Sequence, residues 1–105
     1  MITFKELRYV ALLDKYKNFS QAAKHAGISQ PALSMAISKL EEKLDVTLFY
    51  RDTNGVVRSN IYSDFLSNEG GSIIKNVDDI LLQLKSITKK NTGSVYFGVG
   101  NIVAE

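Results

Sequence analysis

Apolar residues recur at helical spacing through most of this chain, and each series is bounded by a start or stop signal. Phe4, Leu7, Val10, Ala11 and Leu13 predict a first helix running to about Lys17. A second, from about Ser20 to Ala26, is short and rich in alanine at Ala22, Ala23 and Ala26, which lets another helix approach closely. Gly27 then suits the left-handed conformation found just past a helix C-terminus. The third, from Ser29 to Leu44, has the best-defined beginning. The Ser29 hydroxyl can accept a hydrogen bond from a free backbone N–H, and Pro31 sits in the first turn, where a missing N–H costs little. Leu33, Ile37, Leu40 and Leu44 fall on one stripe that packs inward, while Pro31, Met35, Ser38 and Glu42 lie opposite, flanked by Ser34 and Lys39.

Beyond Leu44 the period changes. Thr47 to Arg51 reads as a short strand, Asp52 to Gly55 as a turn, and Val56 to Ser59 as the returning strand; Asn54 and Gly55 both tolerate positive φ, which a tight hairpin needs. Helical spacing resumes from Ile61 to Lys90. Leu66, Ile73, Val77, Ile80, Leu84 and Ile87 keep a three-four spacing with Gly70 in the gap, the heptad seam of a helix that pairs with its twin from a second chain. Each glycine costs about 1 kcal/mol relative to alanine inside a helix. Gly70 and Gly71 therefore mark either a close helix crossing or a break, with a new helix starting at Ser72 and packing back on its own domain. Asn91 to Ser94 reads as a polar hinge and Val95 to Gly100 as a β-strand. The expected fold is mainly α: a winged helix-turn-helix of three helices and a two-stranded wing (residues 1–60), a long linker or dimerisation helix (61–90), then a hinge and first-strand stub (91–105).

This order of elements points to nucleic acid. A short helix, a turn of Gly27, Ile28 and Ser29, and a second capped helix make the helix-turn-helix pattern, with Ile28 plugging the angle between the helices. The leading half of the third helix is small and neutral, able to lie in a groove. Glu41 and Glu42 come only in the last turns, and the positive end of the macrodipole leads. The bland reading of the same pattern is an ordinary amphipathic helix with a solvated polar face. Arg51 and Arg58 stand on the hairpin beside that helix, placed for phosphates or a minor groove; the competing use for Arg51 is a salt bridge to Asp52 or to Glu41 and Glu42.

The first 60 positions resemble the LysR-type transcriptional regulators. The signature appears as Leu7, Arg8 and Tyr9; Phe19, Ser20, Ala22 and Ala23; the run from Ser29 through Gln30, Pro31, Ala32 and Leu33 to Ser34; Leu40 and Glu41; and Leu48, Phe49, Tyr50 and Arg51. The resemblance implies a bacterial or archaeal regulator that binds interrupted palindromes in double-stranded DNA as a dimer or tetramer, with a ligand-binding domain after a long linker helix. Carried onto this chain, base readout falls on Gln30, Pro31, Ser34, Met35 and Ser38, and wing contacts on Arg51 and residues near Asn54 to Arg58; Ser20, Gln21, Ser29 and Lys39 stand beside them and are expected to meet the DNA backbone. The dimer interface falls on Leu66, Gly70, Ile73, Val77, Ile80, Leu84 and Ile87. Many relatives carry arginine immediately after the second serine of the signature, where this chain has Met35. An apolar side chain meets the thymine methyl rather than guanine, so A/T is expected at that step. Asn60, Ile61 and Tyr62 stand where relatives usually have a small, glycine-containing stretch, which leaves the start of the next helix open.

Composition refines this picture. Through Asn60 there are nine Lys and Arg against six Asp and Glu, so the basic excess lies in the proposed DNA module even though the whole chain carries only +2. The absence of cysteine excludes disulfides and thiolate metal sites. No apolar run is long enough for a signal peptide or membrane span, so a cytoplasmic, nucleoid-associated protein without membrane contact is expected. An enzyme is disfavoured. His25 is the only histidine, has no cysteine to activate, and is expected to be a solvated helix residue; Gly98 and Gly100 supply a G-x-G too near the chain end for a dinucleotide fold. No cofactor is expected here, and a small-molecule effector belongs to a C-terminal domain missing from what reads as a fragment. The other rival is a winged-helix module that binds protein without binding DNA.

Overall fold

In the computed structural model, which describes residues 1–54 and 56–90, the chain opens on a reciprocal cap. The Thr3 hydroxyl accepts from Glu6 N at 3.1 Å and Thr3 N donates to the Glu6 carboxylate at 2.9 Å, starting α1 (Phe4–Tyr16). Lys17, in the left-handed conformation at φ 51°, ends it. Asn18 caps α2 (Phe19–Ala26) by accepting from Gln21 N at 2.8 Å, and Gly27 ends it at φ 75°. Ser29 caps α3 (Gln30–Leu44), as its sequence position predicts, by accepting from Ala32 N at 3.2 Å. The wing is β1 (Tyr50–Arg51) paired antiparallel with β2 (Val57–Arg58). Last comes α4 (Ile61–Lys90).

Two units make up the molecule, Met1–Ile74 and Lys75–Glu105. In the first, Val10 and Leu13 of α1, Ala22 and Ala23 of α2, and Leu33, Ile37 and Leu40 of α3 close one core, with Leu48, Phe49 and Val57 sealing it from the wing side. Burying a leucine stabilises by about 1.5 to 3 kcal/mol. Short alanines on α2 let it lie close to its neighbours, so α3 is fixed by its leucine stripe and its other side is left outward. Lys43 straps the far end of α3 to α1, reaching Glu6 at 2.8 Å and the Met1 carbonyl at 2.7 Å. Its hydrogen bond holds the Glu6 carboxyl below its ordinary pKa.

The wing strands are shorter than expected. Thr47, Leu48 and Phe49 lie outside β1 because the Glu41 carboxylate takes the amides that a strand would use: its Oε2 accepts from Leu48 N at 2.7 Å and Phe49 N at 3.1 Å. Asp52 organises the turn, its Oδ1 accepting from Asn54 N and Val56 N at 2.9 Å each. Gly55, the other half of the expected Asn-Gly turn, lies outside the described residues, as do the hinge and strand expected over 91–100 and the tail.

The start of α4 is settled by Asn60. Its Oδ1 accepts from Tyr62 N at 2.9 Å and Ser63 N at 3.1 Å, its Nδ2 donates to the Thr47 carbonyl at 2.7 Å, and the hydroxyl of Ser63, fully buried, accepts from Asn60 N at 2.9 Å. The glycine pair does not break the helix, and no new helix starts at Ser72. Gly70 marks a close crossing instead: a Cβ there would lie 3.2 Å from Leu7 Cδ2 on α1. Leu66 packs against the same core. Both residues, assigned from periodicity to a seam between chains, are thus engaged by their own domain. Ile61, Tyr62 and Phe65 point outward and, with Leu44, Val46 and Leu48, line an apolar groove of about 450 Å³. Among the described residues of the second unit, Ile80, Leu84 and Ile87 are exposed and Val77 is half-buried. No helix among the described residues is long and apolar enough to cross a membrane.

Candidate nucleic-acid interface

With Leu33, Ile37 and Leu40 buried, the outward side of α3 carries Gln30, Pro31, Met35 and Ser38, all exposed, with Ser34 half-buried beside them. Met35 is 59% exposed, which leaves it open for contact. The first turn of α3 carries no charged residue and forms the positive end of the helix dipole, although Ala32 N and Leu33 N are taken by Ser29 and Pro31 has no N–H. Ser29 uses its hydroxyl oxygen as the cap acceptor and keeps its O–H as a donor.

Several of the other assigned residues converge next to that turn. Ser20 donates its hydroxyl to Gln30 Oε1 at 2.9 Å, joining the first turns of α2 and α3. Arg51, on β1, places its guanidinium carbon 4.1 Å from the centre of the Phe19 ring. Ser20, Gln30, Arg51 and Asn54, with Asn18 and Phe19, line a polar depression of about 240 Å³. Ser34 and Ser38 line a neighbouring one of about 320 Å³ that also meets Arg51. Lys39, Gln21, Met35 and Arg58 line neither of these two depressions, although all four are exposed.

The salt bridge to Asp52 weighed for Arg51 is made by Arg58 instead. Arg51 forms no ion pair among the described residues, while Arg58 approaches Asp52 at 3.9 Å with its side chain 71% exposed. A contact so long and wet contributes little and leaves Arg58 available. Glu41 is turned into the base of the wing and Asp52 into the turn, so Glu41 Oε2 and Asp52 Oδ1 are occupied by backbone N–H groups while Asp52 Oδ2 faces Arg58. His25 is exposed, as expected, and stacks on Tyr16 with ring centres 4.4 Å apart. Sequence reasoning did not single out Phe19 as a partner of Arg51 or Glu41 as an anchor of the wing. No local pattern signals either contact, because each joins different elements that meet only after folding.

This arrangement defines a winged helix-turn-helix domain whose leading helix turn, flanking helix and wing share one polar face. Residues 4–59, more than half of the chain, match the family model described as bacterial regulatory helix-turn-helix protein, lysR family. The chain belongs to the LysR family, a family of transcriptional regulators and not of enzymes. It is 35% identical over 81 residues to the uncharacterized HTH-type transcriptional regulator YcgK of Bacillus subtilis, covering 77% of this chain and 25% of that protein. To the malolactic fermentation system transcriptional activator of Lactococcus lactis it is 35% identical over 89 residues, covering 85% and 28%. Among solved structures it is similar to the BenM_DBD/catB site 1 DNA complex, with a TM-score of 0.69, 28% identity, and coverage of 90% of this chain and 100% of that one. Against full-length OxyR C199D from Pseudomonas aeruginosa the TM-score is 0.71 at 28% identity, covering 82% and 29%. The chain thus spans about a quarter of the length of these curated relatives.

Proposed function

We propose that this chain is the DNA-reading part of a cytoplasmic, nucleoid-associated transcriptional regulator that binds an interrupted palindrome as a dimer. The observation that carries the reading is the division of α3, whose leucines are sunk in the core while its uncharged leading turn stands open, with Arg51 held over Phe19 beside it and Arg58 exposed on the wing in only a long approach to Asp52. Similarity to BenM_DBD, solved with catB site 1 DNA, supports it. In this reading Gln30, Pro31, Ser34, Met35 and Ser38 meet base edges in the major groove. Gln21, Ser29, Lys39, Asn54 and Arg58 meet the backbone, as does Arg51, which also stands within reach of the minor groove. Ser20 belongs to the same face. A small-molecule effector would act on a further domain of the kind the longer relatives have room for.

Binding through phosphates has a distinctive law. The logarithm of affinity should fall linearly with the logarithm of salt, with a slope of about −0.9 per phosphate contact. A salt-insensitive affinity, or none for duplex DNA in dilute buffer, would instead favour a protein-binding winged helix. Met35→Arg is expected to move the preference at its base step from A/T toward G, changing discrimination by about 1 to 3 kcal/mol. Binding to a panel of single-base variants measures this, and an unchanged panel would place Met35 away from the groove.

Dimerisation belongs to α4. Ile73, Val77, Ile80, Leu84 and Ile87 supply apolar surface at helical spacing, and the exposed Ile61, Tyr62 and Phe65 add more. Two reading helices held this way would enter grooves about 34 Å apart, or a multiple of that. Ile80→Cys is expected to give a disulfide-linked dimer on mild oxidation, in a chain that has no other cysteine. Monomer alone on a non-reducing gel would remove Ile80 from the seam.

A further inference from the structure

The first turn of α2 makes two contacts that packing alone does not require. Phe19 sits half-buried at the core edge and turns its ring toward the wing, where Arg51 lies over it at 4.1 Å. The next residue, Ser20, is exposed and donates to Gln30 Oε1 at 2.9 Å. Neighbours in sequence thus hold two side chains from other elements, one a cation and one a carboxamide, around a single polar depression.

Each contact removes freedom that binding would otherwise have to remove. A loose arginine samples many rotamers, and fixing it on a phosphate lowers affinity by the entropy lost. A ring that already holds the guanidinium lessens that loss. The carboxamide gains a direction. With Oε1 accepting from Ser20, the two N–H donors of Gln30 are left for a partner, and major-groove acceptors such as guanine O6 and N7 or adenine N7 are of that kind.

We propose that Phe19 and Ser20 are positioning residues: Phe19 holds Arg51 ready for a phosphate, and Ser20 orients the Gln30 carboxamide for a base edge. The proposal rests on the reading of α3 and the wing as the DNA-binding face. Its two halves carry different signatures, since a phosphate contact acts on all sequences alike and a base contact on one step.

The test uses the 105-residue chain and a duplex that it selects from a random pool, with single-base variants of that duplex. Phe19→Leu is expected to weaken binding about two- to fivefold on every duplex, the size of an exposed cation–π contact. In an Arg51→Ala background it should cost nothing more, and Phe19→Tyr, which keeps the ring, should bind as the unmodified chain does. Ser20→Ala should reduce discrimination about fivefold or more at the step altered by Gln30→Ala and leave the salt slope unchanged. Thermal melts of each variant separate these effects from loss of fold. Equal losses from Phe19→Leu with and without Arg51 would overturn the proposal, since Phe19 would then act by packing only. Uniform weakening by Ser20→Ala with a shallower salt slope would also overturn it, making Ser20 a phosphate ligand. If Arg51→Ala and Gln30→Ala themselves left binding intact, the proposal would fall together with the reading beneath it.

Discussion

Leu33→Ala is expected to destabilise the domain by about 2 to 5 kcal/mol and to weaken any DNA affinity in proportion to the fraction unfolded. Leu33 is completely buried between α3 and the rest of the core, one turn from the N-cap, so the cavity would open directly beneath the leading turn. A domain of this size has a total stability of only about 5 to 15 kcal/mol, so such a loss is a large part of it. Chemical denaturation read by circular dichroism measures it. A loss below about 1 kcal/mol would mean that the stripe does not hold α3 in place.

The second large effect is expected at Glu41, a residue whose charge suggests a solvent-facing role. Its carboxylate accepts both the Leu48 and Phe49 amides, and these two side chains are buried against the core. Hydrogen bonds to an ionised group contribute about 1.5 to 3 kcal/mol each, and their amides would be left without an acceptor. Glu41→Ala should therefore cost about 2 to 4 kcal/mol and loosen the base of the wing, with Glu41→Gln losing less because it keeps an acceptor. Amide exchange at Leu48 and Phe49 reads the site directly. Unchanged protection of both amides in Glu41→Ala would show that the carboxylate is not their anchor.

Much of this fold is legible in the sequence because its signals are local. Ser29 and Gly27 announce the ends of their helices by chemistry that acts within a few residues, and the structure gives both those roles. The leucine stripe of α3 needs only the helical repeat. What stays hidden depends on elements meeting after folding. Nothing near Glu41 says that two amides several residues on will point at its carboxylate, so a strand from Thr47 is a reasonable expectation until those amides prove to be taken. Gly70 illustrates the same limit: its spacing fits a seam, yet a missing side chain serves equally well for close passage of Leu7. The partner of an arginine is equally hidden, since Arg51 beside Asp52 in sequence meets Phe19 in space while Arg58 approaches Asp52.

The central claim is that the capped, uncharged first turn of α3 touches base edges while the wing holds the backbone. Selection of bound duplexes from a random pool, repeated with Gln30→Ala and Arg58→Ala, tests it most directly. The account predicts an enriched two-fold motif, lost preference at one step of each half-site with Gln30→Ala, and an unchanged motif bound more weakly with Arg58→Ala. No enrichment from the unmodified chain at low salt, or the same altered motif from both variants, would contradict it.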